Sequence, residues 1–188
     1  MNALRSSLRA TLLAFGLLGL VWPLTVTALA QVIFPVQAGG SLIQGPQGPR
    51  GSRLLGQSFS FPHYLSGRPS AAGYDPTASA ASNLGPTNPA LKLRREAEAL
   101  RLQNLCPEAG PVPEVLLSSS GSGLDPHLSP EAARWQAPCI ARARKVAPER
   151  VLALVEEQTE HPFLGDPVVP VLAFNLALDL RFPLAATP

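Results

Sequence analysis

Ala10–Phe34, ATLLAFGLLGLVWPLTVTALAQVIF, holds 25 residues without one Asp, Glu, Lys, Arg or His. About 20 apolar residues in a helix rising 1.5 Å per residue cross the hydrocarbon core of a bilayer. The run therefore predicts a single membrane helix over residues 10–34, preceded by a short N-terminus (1–9) and followed by everything from 35 to 188. Pro23 interrupts it, which membrane helices tolerate when neighbouring groups satisfy the freed carbonyl. Gly16, Gly19 and Thr27 stand at i, i+3 and i+11, a spacing that sets small residues roughly on one face where another helix can approach. Gly16, Gly19 and Pro23 are thus candidate partner contacts; the alternative is a plain anchor whose glycines face lipid.

A second reading of the same run is a cleaved signal peptide. Arg5 and Arg9 form a positive n-region and Ala28-Leu29-Ala30 resembles a small-residue cleavage site before Gln31. The run is longer than the roughly 7–15 residues of an ordinary h-region, which favours the anchor. Both readings carry the residues after 34 out of the cytoplasm. Basic residues close to a span mark its cytoplasmic side. Arg5 and Arg9 lie upstream, and no charge appears from Ala10 to Pro49. The expectation is a single-pass protein of the cell (inner) membrane, N-terminus cytoplasmic, main domain periplasmic or extracellular.

Two of the 15 basic residues are Arg5 and Arg9, so 13 basic and 13 acidic side chains remain beyond the span and that part is formally neutral. Without a basic excess, nucleic-acid binding is set aside. The roughly 150 residues after the span suffice for one modest domain with its own core. Cys106 and Cys139 are the two cysteines. In an oxidising exterior they can form a disulfide; otherwise they pack as small apolar groups. Without CxxC spacing they support neither a metal site nor a redox motif.

Residues 35–90 are rich in turn signals, among them Gly39-Gly40, Gly45-Pro46, Gly48-Pro49, Gly85-Pro86 and Asn88-Pro89. Short strands are expected at Ser41 to Gln44 and Arg53 to Phe59. Phe59, Phe61, Tyr64 and Tyr74 are aromatic anchors able to hold loops to a core. Asn88-Pro89 reads as N-cap and first helical position of a helix to about Leu102, with Leu93, Ala97 and Leu100 as its apolar stripe and Lys92–Glu96 and Arg94–Glu98 as i, i+4 pairs. Glu114 to Leu117 is a candidate strand. Ser129-Pro130 opens another helix, which Pro138 is expected to kink or split. Pro148 starts the next, with Val151, Leu154 and Val155 on one face. Val168 to Leu172 reads as a short strand passing into a helix with Leu172, Leu176 and Leu180 at helical spacing. The expected fold is a mixed α/β extracytoplasmic domain on one N-terminal transmembrane helix.

Chemistry is sparse. The hydroxyl-rich run Ser118–Gly123 lacks the G-x-S-x-G elbow of a nucleophile, although His127 is near in sequence. It also lacks the Gly-Lys-Ser/Thr ending of a phosphate-binding loop. His63, His127 and His161 stand far apart and match no zinc spacing. No catalytic residue and no metal ligand is assigned.

Seven stretches in order are similar to one family: Gly51-Ser-Arg-Leu-Leu-Gly-Gln-Ser-Phe59, Gly67-Arg-Pro-Ser-Ala71, Ser82-Asn-Leu-Gly-Pro-Thr-Asn-Pro-Ala-Leu91, Ser120-Gly-Ser-Gly-Leu-Asp-Pro-His-Leu-Ser-Pro130, Trp135-Gln136, Ala141-Arg-Ala-Arg144 and Asn175-Leu-Ala-Leu-Asp179. The chain resembles KdpC, the C subunit of the bacterial Kdp potassium-transporting P-type ATPase. The resemblance implies a KdpC-like domain over residues 35–188 and a subunit that is not an enzyme by itself. It implies as partners a channel-like potassium-translocating subunit and a P-type ATPase subunit, besides membrane lipid. It also implies a catalytic chaperone that raises the ATP affinity of the ATPase subunit, with ATP held mainly by that partner and potassium as the transported ion.

Within the matched stretches Arg68, Asn83, Asn88, Asp125 and His127 are candidate partner contacts. Ser82, Asn83 and Gly85 are candidates for nucleotide contact, since the family's Ser-Gly-Gly-Ser-Asn-Leu-Gly has been compared with nucleotide-binding signatures. Here that stretch is Ser79-Ala-Ala-Ser-Asn-Leu-Gly85. Ala80 and Ala81 remove the freedom for positive φ that glycine supplies, and the loop is expected outside, away from ATP. Cys139 and Pro170 replace a common Arg and Asn. The alternative function is a periplasmic binding protein or hydrolase released after Ala30.

Overall fold

A computed structural model describes residues 2–45, 48–60 and 62–184. Phe61 and Pro46, read above as a loop anchor and a turn proline, lie outside the described residues. The chain divides into two compact units, Met1–Arg50 and Gly51–Pro188.

The first unit is built on helix α1 (Asn2–Ala14), a π-helical stretch Phe15–Val21 and α2 (Trp22–Ile33). Together they form one helix, Asn2–Ile33, of 32 residues with a mean hydropathy of 2.0 over its most apolar window, long and apolar enough to cross a membrane. No residue of it is buried within the chain. The π stretch ends where Pro23 begins to act. A proline in a helix lacks the N–H and its ring clashes with the carbonyl four residues back. Here the hydrogen bonds open to the i→i+5 pattern ahead of it, with the Trp22 amide donating to the Leu17 carbonyl. Pro23 therefore widens the helix without ending it. Gly16 and Gly19 fall inside the widened stretch, so their spacing there is not the 3.6-residue one assumed from the sequence. A single turn, α3 (Pro35–Ala38), and a two-stranded hairpin, β1 (Leu42–Gly45) and β2 (Gly48–Ser52), follow.

The second unit mixes helices with short strands, as the sequence leads one to expect. Helix α4 (Pro89–Leu105) starts on Asn88, whose Oδ1 accepts from the Ala90 amide at 2.9 Å. A 3₁₀ turn (Glu114–Leu116) stands where a strand was expected. Strand β3 (His127–Leu128) leads into α5 (Pro130–Arg144), capped by Ser129 Oγ on the Ala132 amide at 3.4 Å. Helix α6 (Pro148–Gln158), strand β4 (Val169–Pro170) and helix α7 (Val171–Arg181) complete it. β3 pairs antiparallel with β4, His127 opposite Pro170 and Leu128 opposite Val169. Residues 53–59, expected as a strand, are turn and irregular backbone; the strand lies just before them.

The core joins Ile140, Leu154, Val151, Val155, Phe174 and Leu178 with Leu65, Leu116, Leu128 and Val169, all essentially inaccessible. Pro138 neither kinks α5 apart nor ends it, because both halves bury side chains (Trp135 and Ala137, Ile140 and Ala141) in the same core. α5 closes at Lys145, in the left-handed conformation at φ 56°. α7 buries Val171, Leu172, Phe174, Asn175 and Leu178, while Leu180, at helical spacing from Leu172, is 84% exposed. The stripe expected to seat α4 is also on the outside: Leu93 is 66% and Leu100 61% exposed. α4 is held instead by buried Leu102 and by its end, where Cys106 is disulfide-bonded to Cys139 of α5 with Cα atoms 5.5 Å apart. Lys92 pairs with Glu96 as expected, at 3.8 Å, but Glu98 takes Arg101 rather than Arg94.

The irregular chain at residues 65–66 is secured by two side-chain amides acting like strand neighbours. Asn175 Oδ1 accepts from the Leu65 amide (2.8 Å) while its Nδ2 donates to the Leu65 carbonyl (2.9 Å). Gln136 does the same for Ser66, at 2.9 and 3.0 Å. An unpaired buried backbone group costs about 1–3 kcal/mol, and Asn175 is 1% exposed. Asn175→Leu is therefore expected to lower the unfolding free energy by about 2–3 kcal/mol, measured by urea denaturation of the full chain in detergent. A loss below about 0.5 kcal/mol would contradict the clamp.

Arg144 lies beneath this segment with its side chain fully buried. Its Nε donates to the His63 carbonyl (2.7 Å), Nη1 to the Leu178 and Phe182 carbonyls (3.2 and 2.8 Å), and Nη2 to Asp179 Oδ1 (2.8 Å). Tyr64 covers the guanidinium at 5.1 Å and donates its hydroxyl to Asp179 Oδ2 at 2.9 Å. Burial, then the Arg144 charge, hold the His63 imidazole below its ordinary pKa of 6.5. The unfolded chain consequently takes up this proton first as pH falls, so stability is complete above 6.5 and is lost below it, down to the folded value. The urea midpoint is expected to fall between pH 7.5 and 5.5, and His63→Gln to flatten that fall; an identical slope in the variant would exclude His63 as its source.

Candidate partner-facing site

Three of the sequence stretches that carried the resemblance, 51–59, 67–71 and 120–130, fold together with Ser79 and Ala80 as a cluster of loops. The Gly56 amide donates to the Leu124 carbonyl at 2.8 Å, the Ser120 amide to the Pro69 carbonyl at 3.2 Å and the Ala80 amide to the Ser122 carbonyl at 3.0 Å. Ser79 Oγ donates to the same Ser122 carbonyl at 2.9 Å. Gly123 sits at the crossing with φ +69°, and a Cβ there would lie 2.7 Å from the Ala80 carbonyl oxygen. Only glycine fits both the backbone and the gap. The loops are thus ordered by backbone pairing rather than by regular sheet.

Arg68 pairs with Asp125 across 57 positions, and Asp125 holds the His127 backbone. Arg68 Nη1 is 3.3 Å from Asp125 Oδ2, and its Nη2 donates to the Ser119 carbonyl at 3.3 Å. Asp125 Oδ1 accepts from the His127 amide at 3.0 Å, which turns the chain into β3. Tyr74 donates its hydroxyl to the Arg68 carbonyl at 2.6 Å. Arg68 and Asp125 keep 27% and 28% of their side chains exposed, so the pair reaches the surface.

The other candidates are dispersed. Asn83 is exposed at φ 52°, and Asn88 is exposed with its amide oxygen committed to capping α4. The Gly85 carbonyl accepts from the Asn88 amide at 3.0 Å, closing a turn over Pro86. Ser82 lines an open groove of about 460 Å³ along α4, with Ser70, Arg94, Glu98 and Arg101. A phosphate-binding loop presents several free amides in one concavity. In this stretch the Ala80 amide is already engaged by Ser122. Gly16, Gly19 and Pro23 belong to the first unit, Gly19 and Pro23 exposed along its helix and Gly16 half-buried.

Arg144, Gln136 and Asn175 were not singled out individually from the sequence. Their signal was a polar residue recurring among buried apolar ones inside Trp135-Gln136, Ala141–Arg144 and Asn175–Asp179.

Comparison with known proteins gives this geometry its context. The family model "KdpC: K+-transporting ATPase, c chain" matches residues 4–180. The chain belongs to the KdpC family. It is 52% identical over 184 residues to the potassium-transporting ATPase KdpC subunit of Myxococcus xanthus, covering 94% of this chain and 87% of that one. It is 50% identical to the KdpC subunit of Pseudomonas putida F1, covering 94% and 95%, and 48% identical to that of Pseudomonas entomophila, covering 97% of both. These relatives are named as a subunit of a transport ATPase, and the N-terminal apolar helix of this chain fits a membrane-anchored member of such a complex.

Proposed function

We propose that this chain is the accessory, non-catalytic subunit of a high-affinity, ATP-driven potassium pump, joining a channel-like potassium-translocating subunit to a P-type ATPase subunit. The observation that carries it is the family match over residues 4–180, spanning both the apolar helix and the domain. In this reading residues 10–34 cross the inner membrane, the N-terminus with Arg5 and Arg9 is cytoplasmic, and residues 35–188 lie outside. The Cys106–Cys139 disulfide supports an oxidising exterior for the domain. One helix encloses no conduction path, so potassium passes through a partner.

The chain raises the ATP affinity of the ATPase subunit through assembly, not by touching nucleotide. The engaged Ala80 amide supports that indirect route. Arg68, Asp125 and His127 face the partner as one ordered patch, with the span contributing Gly16, Gly19 and Pro23. The test is potassium-stimulated ATP hydrolysis by the detergent-purified complex, with and without this chain. Omission is expected to raise the KM for ATP or to abolish high-affinity stimulation. Unchanged assembly, ATP affinity and potassium dependence would refute the assignment, as would a mature N-terminus at Gln31.

A further inference from the structure

The connection between α6 and β4 is short and closed at its neck. The Glu160 amide donates to the Val168 carbonyl at 2.8 Å and the Val168 amide returns the bond to the Glu160 carbonyl at 3.0 Å. Between them run His161, Pro162, Phe163, Leu164, Gly165, Asp166 and Pro167. Two prolines limit φ along the loop, and Gly165 at φ +107° makes the turn that side chains disfavour. The loop is therefore a fixed projection, and at its tip stand Phe163, 99% exposed, and Leu164, 83% exposed. Neither belongs to the core, which is complete without them. A lone exposed apolar side chain needs no explanation. An adjacent Phe–Leu pair presented almost whole to solvent on a braced loop has the form of an anchor that fills a pocket elsewhere.

The surrounding charge selects between the surfaces available to a membrane-anchored chain. Glu160 and Asp166 bracket the tip, neither in an ion pair among the described residues, and no Lys or Arg occurs from Val151 to Leu180. Segments that insert into a lipid interface carry basic residues beside their apolar ones, drawn to anionic headgroups. Carboxylates beside the apolar pair oppose that and match instead a protein pocket with an apolar floor and a cationic or N–H rim.

We infer that Phe163 and Leu164 are the anchor with which the domain docks into an apolar, cation-rimmed pocket on an exterior protein surface of another subunit of its complex. This rests on the subunit reading above. It places a protein contact at the α6–β4 loop, apart from the Arg68–Asp125 patch.

The test uses the whole complex, purified through a tag on a different subunit, with the photoreactive p-benzoylphenylalanine in place of Phe163. Illumination is expected to give a covalent adduct whose mass is this chain plus one other subunit. Glu160→Lys with Asp166→Lys is expected to lower the adduct yield at least fivefold while leaving the Tm of the chain unchanged, since the structure gives neither side chain an ion pair to lose. Adducts with phospholipid alone, no protein adduct, or an undiminished yield in the charge-reversed variant would each overturn the docking assignment. Failure of the unsubstituted chain to copurify would instead overturn the subunit reading on which it rests, so the two failures are distinguishable.

Discussion

Replacing Arg144 with methionine is expected to remove about 3–5 kcal/mol of unfolding free energy, the loss typical of taking one partner from a buried ionic network. Methionine fills much of the space but donates nothing. It would remove the Arg144 donor from the His63 and Phe182 carbonyls, leave the Leu178 carbonyl with only the Phe182 amide, and take from Asp179 its charge partner. Two of those carbonyls belong to the C-terminal end of α7: Leu178 also accepts from the Phe182 amide at 2.8 Å, whereas Phe182 lies past the last helical turn and takes its donor from the guanidinium. The guanidinium therefore acts as the cap of α7 and as its tie to residue 63 at once. Lysine is not a substitute. It is a point charge and cannot span four acceptors with one planar fork, so Arg144→Lys is expected to recover less than half of the loss. Urea denaturation of the full chain in detergent measures both, and at 2–4 °C per kcal/mol the methionine variant should melt roughly 10 °C lower. A methionine variant within about 1 kcal/mol of the parent would show that solvent reaches these carbonyls.

Removing both cysteines, as Cys106→Ala with Cys139→Ala, is expected to cost about 3–4 kcal/mol. The cross-link closes a separation of 33 residues, and restricting the unfolded chain over a loop of that length is worth that amount in the chain-entropy model. The native state also has reason to need it. The apolar stripe of α4 faces outward, so the helix relies on Leu102, on the disulfide, and on exposed ion pairs such as Arg142 with Glu108 and Arg95 with Glu114. Exposed pairs of that kind contribute only about 0–1 kcal/mol each. Loss of the disulfide should accordingly increase amide exchange in α4 before it affects α5 or α6. Uniform acceleration across all three helices would show instead that the bond acts only on the unfolded state.

Much of the local structure was legible in the residues. Asn88-Pro89, Ser129-Pro130 and Pro148 begin α4, α5 and α6 because a capping side chain or a preset φ acts on its immediate neighbours. Val151, Leu154 and Val155 are buried as their spacing required. The candidate site was legible in part. Arg68 and Asp125 pair across 57 positions, and the His127 amide joins Asp125 within one local turn, whereas Ser82, Asn83, Gly85 and Asn88 stay together on the segment that leads into α4, apart from that pair. Periodicity misled at Leu93, Leu100 and Leu180, because it reports that a helix has an apolar face and not what covers it.

The sequence alone determined the existence of an apolar membrane-length helix, read at residues 10–34 and found at Asn2–Ile33, the starts of the main helices and the family, since each depends on neighbouring residues or on their order. Only the tertiary structure decided that Asn175 would hold Leu65 across 110 positions and Gln136 hold Ser66 across 70. It alone joined Cys106 to Cys139, buried Arg144 under three carbonyls and left Phe163 in solvent. Those outcomes depend on which distant groups remain unsatisfied once the core has closed, and no local pattern in the chain carries that information.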